Sequence, residues 1–264
     1  MSTAAFSMDS FRLDGRVAVV TGGTGIYGTM FAQALGAAGA HVVITSRDRQ
    51  VATHGADALV RAGFDASGYR LDQSSPDSVE AFTAAVCDER GSIDVLVNNA
   101  VHRAGRGLFD TSPEDWAATS AVNSFGLFIL TKAVAKQMAE RRHGSIVNIG
   151  SIYGVVAPDF TLYEGHDMTS PVFYSYDKAG MIGFTRYLAG QLGPYGVRAN
   201  CLCPGGFNET GDDGPFARDY AARVPLGRMA TGHDVSGALV FLASDASAYV
   251  TGAVLPVDGG WTSR

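Results

Sequence analysis

Val17-Ala18-Val19-Val20-Thr21-Gly22-Gly23-Thr24-Gly25-Ile26-Tyr27-Gly28 is the stretch whose reading decides the fold. With Arg16 in front, its first half reads RVAVV, an apolar β-branched run of the kind that forms a strand covered on both faces. The second half is rich in glycine and leads into an apolar helical pattern through about Ala38. Glycines 23, 25 and 28 satisfy G-x-G-x-x-G in the strand–turn–helix setting that the motif requires. Lacking Cβ, they permit a tight turn, close backbone approach to a pyrophosphate and close helix packing. The helix N-terminus then offers unpaired N–H groups to the anion. Gly22, Gly23, Thr24, Gly25, Ile26, Tyr27 and Gly28 are therefore candidates for binding a dinucleotide cofactor. The alternative is a turn that merely packs.

Outward from this turn, short β-branched runs alternate with longer helical patterns. Strands are expected at 17–21, 41–45, 68–71, 93–98, 145–150, 197–202 and 254–257. Ser75-Pro76 and Ser112-Pro113-Glu114-Asp115 each place an oxygen cap before a proline at the first helical position. This alternation implies right-handed crossovers and an α/β fold: a doubly wound, parallel, seven-stranded sheet with helices on both faces, a Rossmann fold. In such sheets ligands bind beyond the carboxyl ends of the strands. No repeat or composition shift interrupts the 264 residues, so 1–264 reads as one domain, with 1–12 as a flexible lead.

Apolar residues make up 46% and charged residues 17%, which excludes the disordered class. A net charge of -6 argues against nucleic acid or an anionic membrane as the partner, since both demand a basic face. Cys87, Cys201 and Cys203 have no metal-ligand spacing and read as free thiols in a reducing compartment. The histidines show no ligand pattern either, so no metal is expected. No basic stretch followed by an apolar one opens the chain, and no uninterrupted apolar run approaches a membrane span, so a cytoplasmic location is expected.

At the end of the second strand stands Thr45-Ser46-Arg47-Asp48. An acidic residue here would bind the ribose 2′-hydroxyl of NAD, whereas Ser46 and Arg47 suit the 2′-phosphate of NADP through charge-assisted hydrogen bonds. The reading favours NADP(H) over NAD(H). In the alternative, Arg47 is a solvated loop cation and Asp48 reaches the ribose.

Tyr174 and Lys178 lie four residues apart at the start of a helical pattern and share one face. A phenol is a poor base at neutral pH, but a nearby ammonium, with an oxidised nicotinamide, would stabilise its phenolate. The pair could then exchange a proton with a substrate oxygen while hydride moves on carbon. The alternative is a tyrosine ring covered by a lysine stem. Upstream, Ser151 sits at the tip of a buried strand, placed to hydrogen-bond a carbonyl or to be an ordinary turn serine.

With these residues assembled, the chain resembles the short-chain dehydrogenase/reductase family in its single-domain form. The resemblance runs from about Leu13 to Trp261 through TGGTGIYG, Leu71-Asp72, Asn98-Asn99-Ala100, Asn123, Ser151, Tyr174/Lys178, Pro204-Gly205 and the closing Val257-Asp258-Gly259-Gly260-Trp261. It implies that Tyr174 is the general acid/base, that Lys178 holds the nicotinamide ribose, and that Ser151 orients the substrate oxygen. It further implies that Asn123 holds a relay water, that Asp72 binds the adenine amino group, and that Asn98 and Ala100 line the cofactor cleft. Pro204 and Gly205, with Phe207 and onward to Thr210, would contact the nicotinamide end. A homotetramer or homodimer is the usual assembly, and the C-terminal segment and the helix at 115–141 could supply its contacts.

Three departures stand out. Ile26 replaces a family glycine, which Gly25 could offset by a one-residue shift. Val101 follows Asn98-Asn99-Ala100 where the family has glycine, awkward for a valine if the backbone there needs positive φ. Finally, Ser151 and Tyr174 are further apart than is usual, so 152–173 carries an apparent insertion. A long loop beside an active site is usually functional, and Tyr153, Tyr163, Glu164 and His166 are candidate substrate contacts. The leading reading is an NADP-dependent oxidoreductase of a small polar substrate: a sugar acid, polyol or hydroxylated biosynthetic intermediate. The alternative is a 3-oxoacyl thioester reductase, for which Arg103/Arg106 is the local basic patch. A non-redox lyase or a cofactor sensor on the same scaffold forms the other class.

Overall fold

The computed structural model describes residues 7–104, 106–166, 168–208, 211 and 213–263. Val17–Val20 forms β1, buried on both faces: Ala18 and Val20 point into one core cluster, Val17 and Val19 into another. This is the alternation a strand imposes when helices cover both sides of the sheet. The remaining strands are β2 (His41–Ser46), β3 (Ala66–Arg70), β4 (Val95–Asn98), β5 (Gly144–Ile149), β6 (Val197–Pro204) and β7 (Val254–Val257). They form one parallel seven-stranded sheet in the order β3-β2-β1-β4-β5-β6-β7.

The helices are α1 (Ile26–Ala37), α2 (Arg49–Arg61), α3 (Pro76–Arg90), α4 (Pro113–Ser120), α5 (Leu127–Arg141), α6 (Val172–Leu192), α7 (Pro215–Arg223) and α8 (Gly232–Ala243). One core cluster joins Phe31 and Leu35 of α1, Leu59 of α2 and Leu239 of α8 to the sheet. The other joins Phe82 of α3, Leu130 and Met138 of α5, and Leu188 of α6 to the opposite face. Ser75 and Ser112 cap α3 and α4 as their sequence pattern implies, and Ser112 forms a full capping box with Asp115.

Strand limits differ from the sequence expectation where tertiary pairing decides them. β3 lies at 66–70 rather than 68–71, because its register follows β2, with Val42 opposite Ala66. β6 runs on to Pro204, held by pairing of Cys203 and Pro204 with Pro256 and Val257 of β7. Of the expected lead at 1–12, residues 1–6 lie outside the described residues. Met8–Phe11 forms a single 3-10 turn capped by Ser7, with Phe11 6.3 Å from the Phe241 ring. Helices α4 and α5 are joined by a π-helical turn, Ala121–Gly126, into 29 continuous residues, Pro113–Arg141. That helix is long and apolar enough to cross a membrane by length and composition, although polar residues interrupt every apolar run in it. Here Leu130, Val134 and Met138 turn its apolar side onto the sheet.

Phe31, fully buried between α1 and the sheet, tests this packing. Phe31→Ala is expected to cost about 3–5 kcal/mol in urea unfolding, and a loss below about 1 kcal/mol would contradict the described core.

Candidate active site

The sheet order reverses between β1 and β4, and a cleft of about 610 Å³ opens there beyond the strand ends. All of the expected cradle except Gly23 lines it. The glycines divide their work differently from the motif's usual reading. Gly22, with φ +61°, makes the turn against Ala100. At Gly28 a Cβ would stand 2.1 Å from the Gly22 carbonyl oxygen, and at Gly23 it would strike the Ile44 side chain at 2.5 Å. Gly25 is the N-cap of α1, where a Cβ would be 3.4 Å from its nearest neighbour, so close packing does not require glycine there. Ile26 is the first helical residue, its side chain exposed on the cleft.

Gly25 provides no side-chain cap, whereas Asp48, Ser75 and Ser112 cap α2, α3 and α4. The N–H groups of α1 are thus left for an anion, and with the missing Cβ atoms beside them the cradle fits a dinucleotide pyrophosphate. Ser46, Arg47 and Asp72 line the same cleft. Asp48 accepts from the backbone N–H groups of Gln50 (2.7 Å) and Val51 (3.3 Å), so its carboxylate is committed to the helix end. Asp72 accepts from the Ser74 N–H at 3.0 Å and hydroxyl at 2.6 Å, which hold it below the usual carboxylate range.

Beside the cleft, in a narrow cavity that shares Gln73, Ala100 and Val101 with it, α6 carries Tyr174 and Lys178 on one face. Lys178 is buried, donates from Nζ to the Ile149 carbonyl oxygen at 2.6 Å, and lies 5.6 Å from the Tyr174 ring centroid. Ser151, the next residue but one after Ile149, caps a 3-10 turn, Ile152–Gly154. Gly154 lets this turn lie flat on α6, since a Cβ would meet the Lys178 backbone at 2.7 Å. Gly150 is equally constrained, as its Cβ would be 2.7 Å from the sulfurs of both Cys201 and Cys203. Missing side chains at 150 and 154 therefore bring Ser151 to the Tyr174 helix.

Asn123 lies within the π-helical turn. Its Oδ1 accepts from the His102 N–H at 2.8 Å, and its Nδ2 donates to the His102 carbonyl (3.0 Å) and to Asp177 Oδ2 (2.7 Å). The Asn98 side chain is turned inward, donating to Thr131 Oγ1 (3.0 Å) and Asn148 Oδ1 (2.8 Å). It lines a narrow cavity shared with Ala100, Tyr174 and Lys178. Asn99 instead lines the main cleft and donates to the Thr21 carbonyl at 2.9 Å. The sequence reading named only Asn98 of this pair, and no periodicity within so short a loop tells which asparagine faces out. Val101 carries no strain, because Arg142 is the sole non-glycine with positive φ among the described residues.

Phe207 lines the cleft with its ring 4.6 Å from that of Tyr27. Gly205 borders a smaller adjoining pocket and accepts from the Tyr27 hydroxyl at 3.4 Å, while Pro204 ends β6 beside it. Thr210 lies outside the described residues. The insertion packs against α7: Tyr163 and His166 contact Phe216, and Arg223 donates to Asp159 at 2.9 Å. The hydroxyls of Tyr153 and Tyr163 are 2.9 Å apart, and Glu164 is exposed.

This arrangement, a glycine cradle lining a cleft, Tyr174 and Lys178 in the adjoining cavity and Ser151 on the turn packed against their helix, defines a nicotinamide-dependent oxidoreductase acting on CH–OH/C=O groups. The chain belongs to the short-chain dehydrogenase/reductase family: a family model described as enoyl-(acyl carrier protein) reductase matches residues 24–262. It is 35% identical to 2-dehydro-3-deoxy-D-gluconate 5-dehydrogenase of Bacillus subtilis, over 97% of this chain and 98% of that protein. It is also 35% identical to 3-oxoacyl-[acyl-carrier-protein] reductase of Vibrio cholerae, over 94% and 98% respectively. The crystal structure of a gluconate 5-dehydrogenase from Burkholderia cenocepacia, in complex with NADP and tartrate, superposes with a TM-score of 0.88 at 35% identity, covering 97% of this chain and 98% of that one.

Half-buried Asp177 links this site to stability. Burial raises its carboxyl above the usual range, partly offset by the Asn123 amide and the Lys178 charge. A raised pKa means that the ionised form is disfavoured on folding, so its contribution falls as pH rises through the folded-state value. Asp177→Asn keeps an acceptor for Asn123, and is expected to raise the urea midpoint at neutral pH, with the gain narrowing in acid. A pH-independent difference would contradict this reading.

Proposed function

We propose that the cleft binds NADP(H) in preference to NAD(H), and that the enzyme oxidises or reduces a carbinol or carbonyl carbon of a small polar substrate, a sugar acid or polyol. When bound, the dinucleotide supplies or accepts the hydride. Tyr174 moves the proton at the substrate oxygen, and Ser151 donates a hydrogen bond to that oxygen. Lys178 has one ammonium proton committed to Ile149, which leaves two donors for the ribose hydroxyls and for the field at Tyr174. Asn123 acts from the π-helical turn as the link between this helix and the loop after β4. The observation that carries the reading is the buried Lys178 ammonium, fixed beside Tyr174 in the cavity that adjoins the glycine-lined cleft.

Arg47 supports the NADP preference, because it lines the cleft while Asp48 is occupied as a helix cap. The paired hydroxyls of Tyr153 and Tyr163 in the insertion suit a hydroxylated substrate better than an acyl thioester. The names of the sugar-acid relatives point the same way. We also assign a homo-oligomer, dimer or tetramer, supported by Phe128 of α5, Tyr187 of α6 and Tyr195 in the turn after α6, exposed on one apolar surface. A cytoplasmic location is supported by three free cysteines, two of them buried.

Tyr174→Phe is expected to lower kcat by about 10²–10⁴-fold with the fold intact by circular dichroism, and near-normal turnover would remove the assigned acid/base. Arg47→Asp should raise KM for NADPH far more than for NADH in the nicotinamide absorbance assay. An equal loss with both cofactors would end the NADP assignment.

A further inference from the structure

We propose that Arg103 forms an anion subsite beside the reacting carbon, and that the substrate is accordingly a hydroxy acid whose carboxylate Arg103 holds while Tyr174 serves the hydroxyl. The proposal rests on the dehydrogenase reading of the same site and narrows its substrate from polyol or sugar acid to the acid.

Arg103 follows β4 and lines the main cleft with Asn99, Ala100 and Phe207. Its guanidinium carbon lies 5.4 Å from the centroid of the Tyr174 ring. Among the described residues it forms no ion pair and no hydrogen bond. Arg12, Arg16, Arg141, Arg223 and Arg228 each meet a carboxylate. In a chain of net charge -6, a cation left without a carboxylate beside the reacting tyrosine is available to a ligand.

Two features hold it there. The Tyr174 ring face attracts the guanidinium and reduces its rotamer freedom. The backbone just before it is clamped, since Asn123 bonds both the N–H and the carbonyl of His102 and is itself held by Asp177 of α6. Arg103 is thereby tied to the same helix that carries Tyr174. A permanently charged planar fork fixed in this way matches a carboxylate in bidentate fashion, which an alditol cannot exploit. The phosphates of the cofactor have other donors at the far end of the cleft, in the uncapped α1 N-terminus and Arg47.

In the reaction the carboxylate is a handle and is unchanged. The carbinol C–H leaves as hydride, with its electron pair, to NADP+. The hydroxyl proton passes to Tyr174, and the products are the keto acid, NADPH and a proton.

The test compares aldonates with alditols of matching chain length, using wild type, Arg103→Met and Arg103→Lys. Wild type should favour aldonates in kcat/KM. Arg103→Met should lower the aldonate-to-alditol ratio by about ten- to a hundredfold, with part of it restored in Arg103→Lys. An unchanged ratio, or a wild type that favours alditols, overturns the subsite. If wild type turns over no member of the panel, tartrate is titrated into the NADP+ complex by calorimetry. Weaker tartrate binding in Arg103→Met by at least about tenfold then supports the subsite, and equal or absent binding in both proteins overturns it. A variant that weakens NADP+ as much as the acid would place Arg103 on the cofactor and also overturn the proposal. Failure of the dehydrogenase reading itself would show separately, as turnover that survives Tyr174→Phe.

Discussion

A buried ammonium must find partners or lose its charge, and in this protein the Lys178 ammonium finds one in the Ile149 carbonyl at 2.6 Å. That bond ties α6 to the carboxyl end of β5. Ser151 leaves the sheet two residues after the acceptor, and Tyr174 lies one helical turn before the donor, so one contact brings together elements distant in sequence. The arrangement also needs the chain to pass very close to α6, which the missing β-carbon of Gly154 allows. A side chain at that position would push the turn that begins at Ser151 off the backbone of α6.

The other end of the cleft depends on what is left unmade. Helices α2, α3 and α4 satisfy their first N–H groups with their own side chains, while α1 begins on Gly25 and has no side-chain cap. Orphan donors at a helix start carry a partial positive charge. Placed where the sheet order reverses, they face open volume rather than packed chain. Gly22 and Gly28 keep the preceding turn tight enough to bring those donors to the cleft. The open helix start and the topology of the sheet are thus one structural fact.

Polar side chains then lock the two ends together. Asn123, in the π-helical turn, spans the loop after β4 and the carboxylate of Asp177 on α6. The π turn gives Asn123 a direction that a regular helix would not. The insertion packs Tyr163 and His166 on Phe216 of α7, with the Tyr153 hydroxyl bonded to that of Tyr163. Burial and this shared bond push the Tyr153 phenol upward, so the ring acts as a neutral hydrogen-bonding surface.

The chain's own order of residues was enough to specify the alternation of strands and helices, the glycine turn after β1, the caps at Ser75 and Ser112, and the Tyr174/Lys178 face. Each of these depends on residues within a few positions of one another, where local sterics and periodicity act. Only the tertiary structure decided which glycine makes the turn, that Asn98 points inward while Asn99 faces the cleft, that Asp48 is spent on a helix end, and that Arg103 lies over Tyr174. Those outcomes depend on which distant segment arrives alongside: Ile44 against Gly23, Thr131 and Asn148 against Asn98, and α6 against the loop after β4. Distance along the chain hides such neighbours, because packing between layers sets them and no local period encodes it.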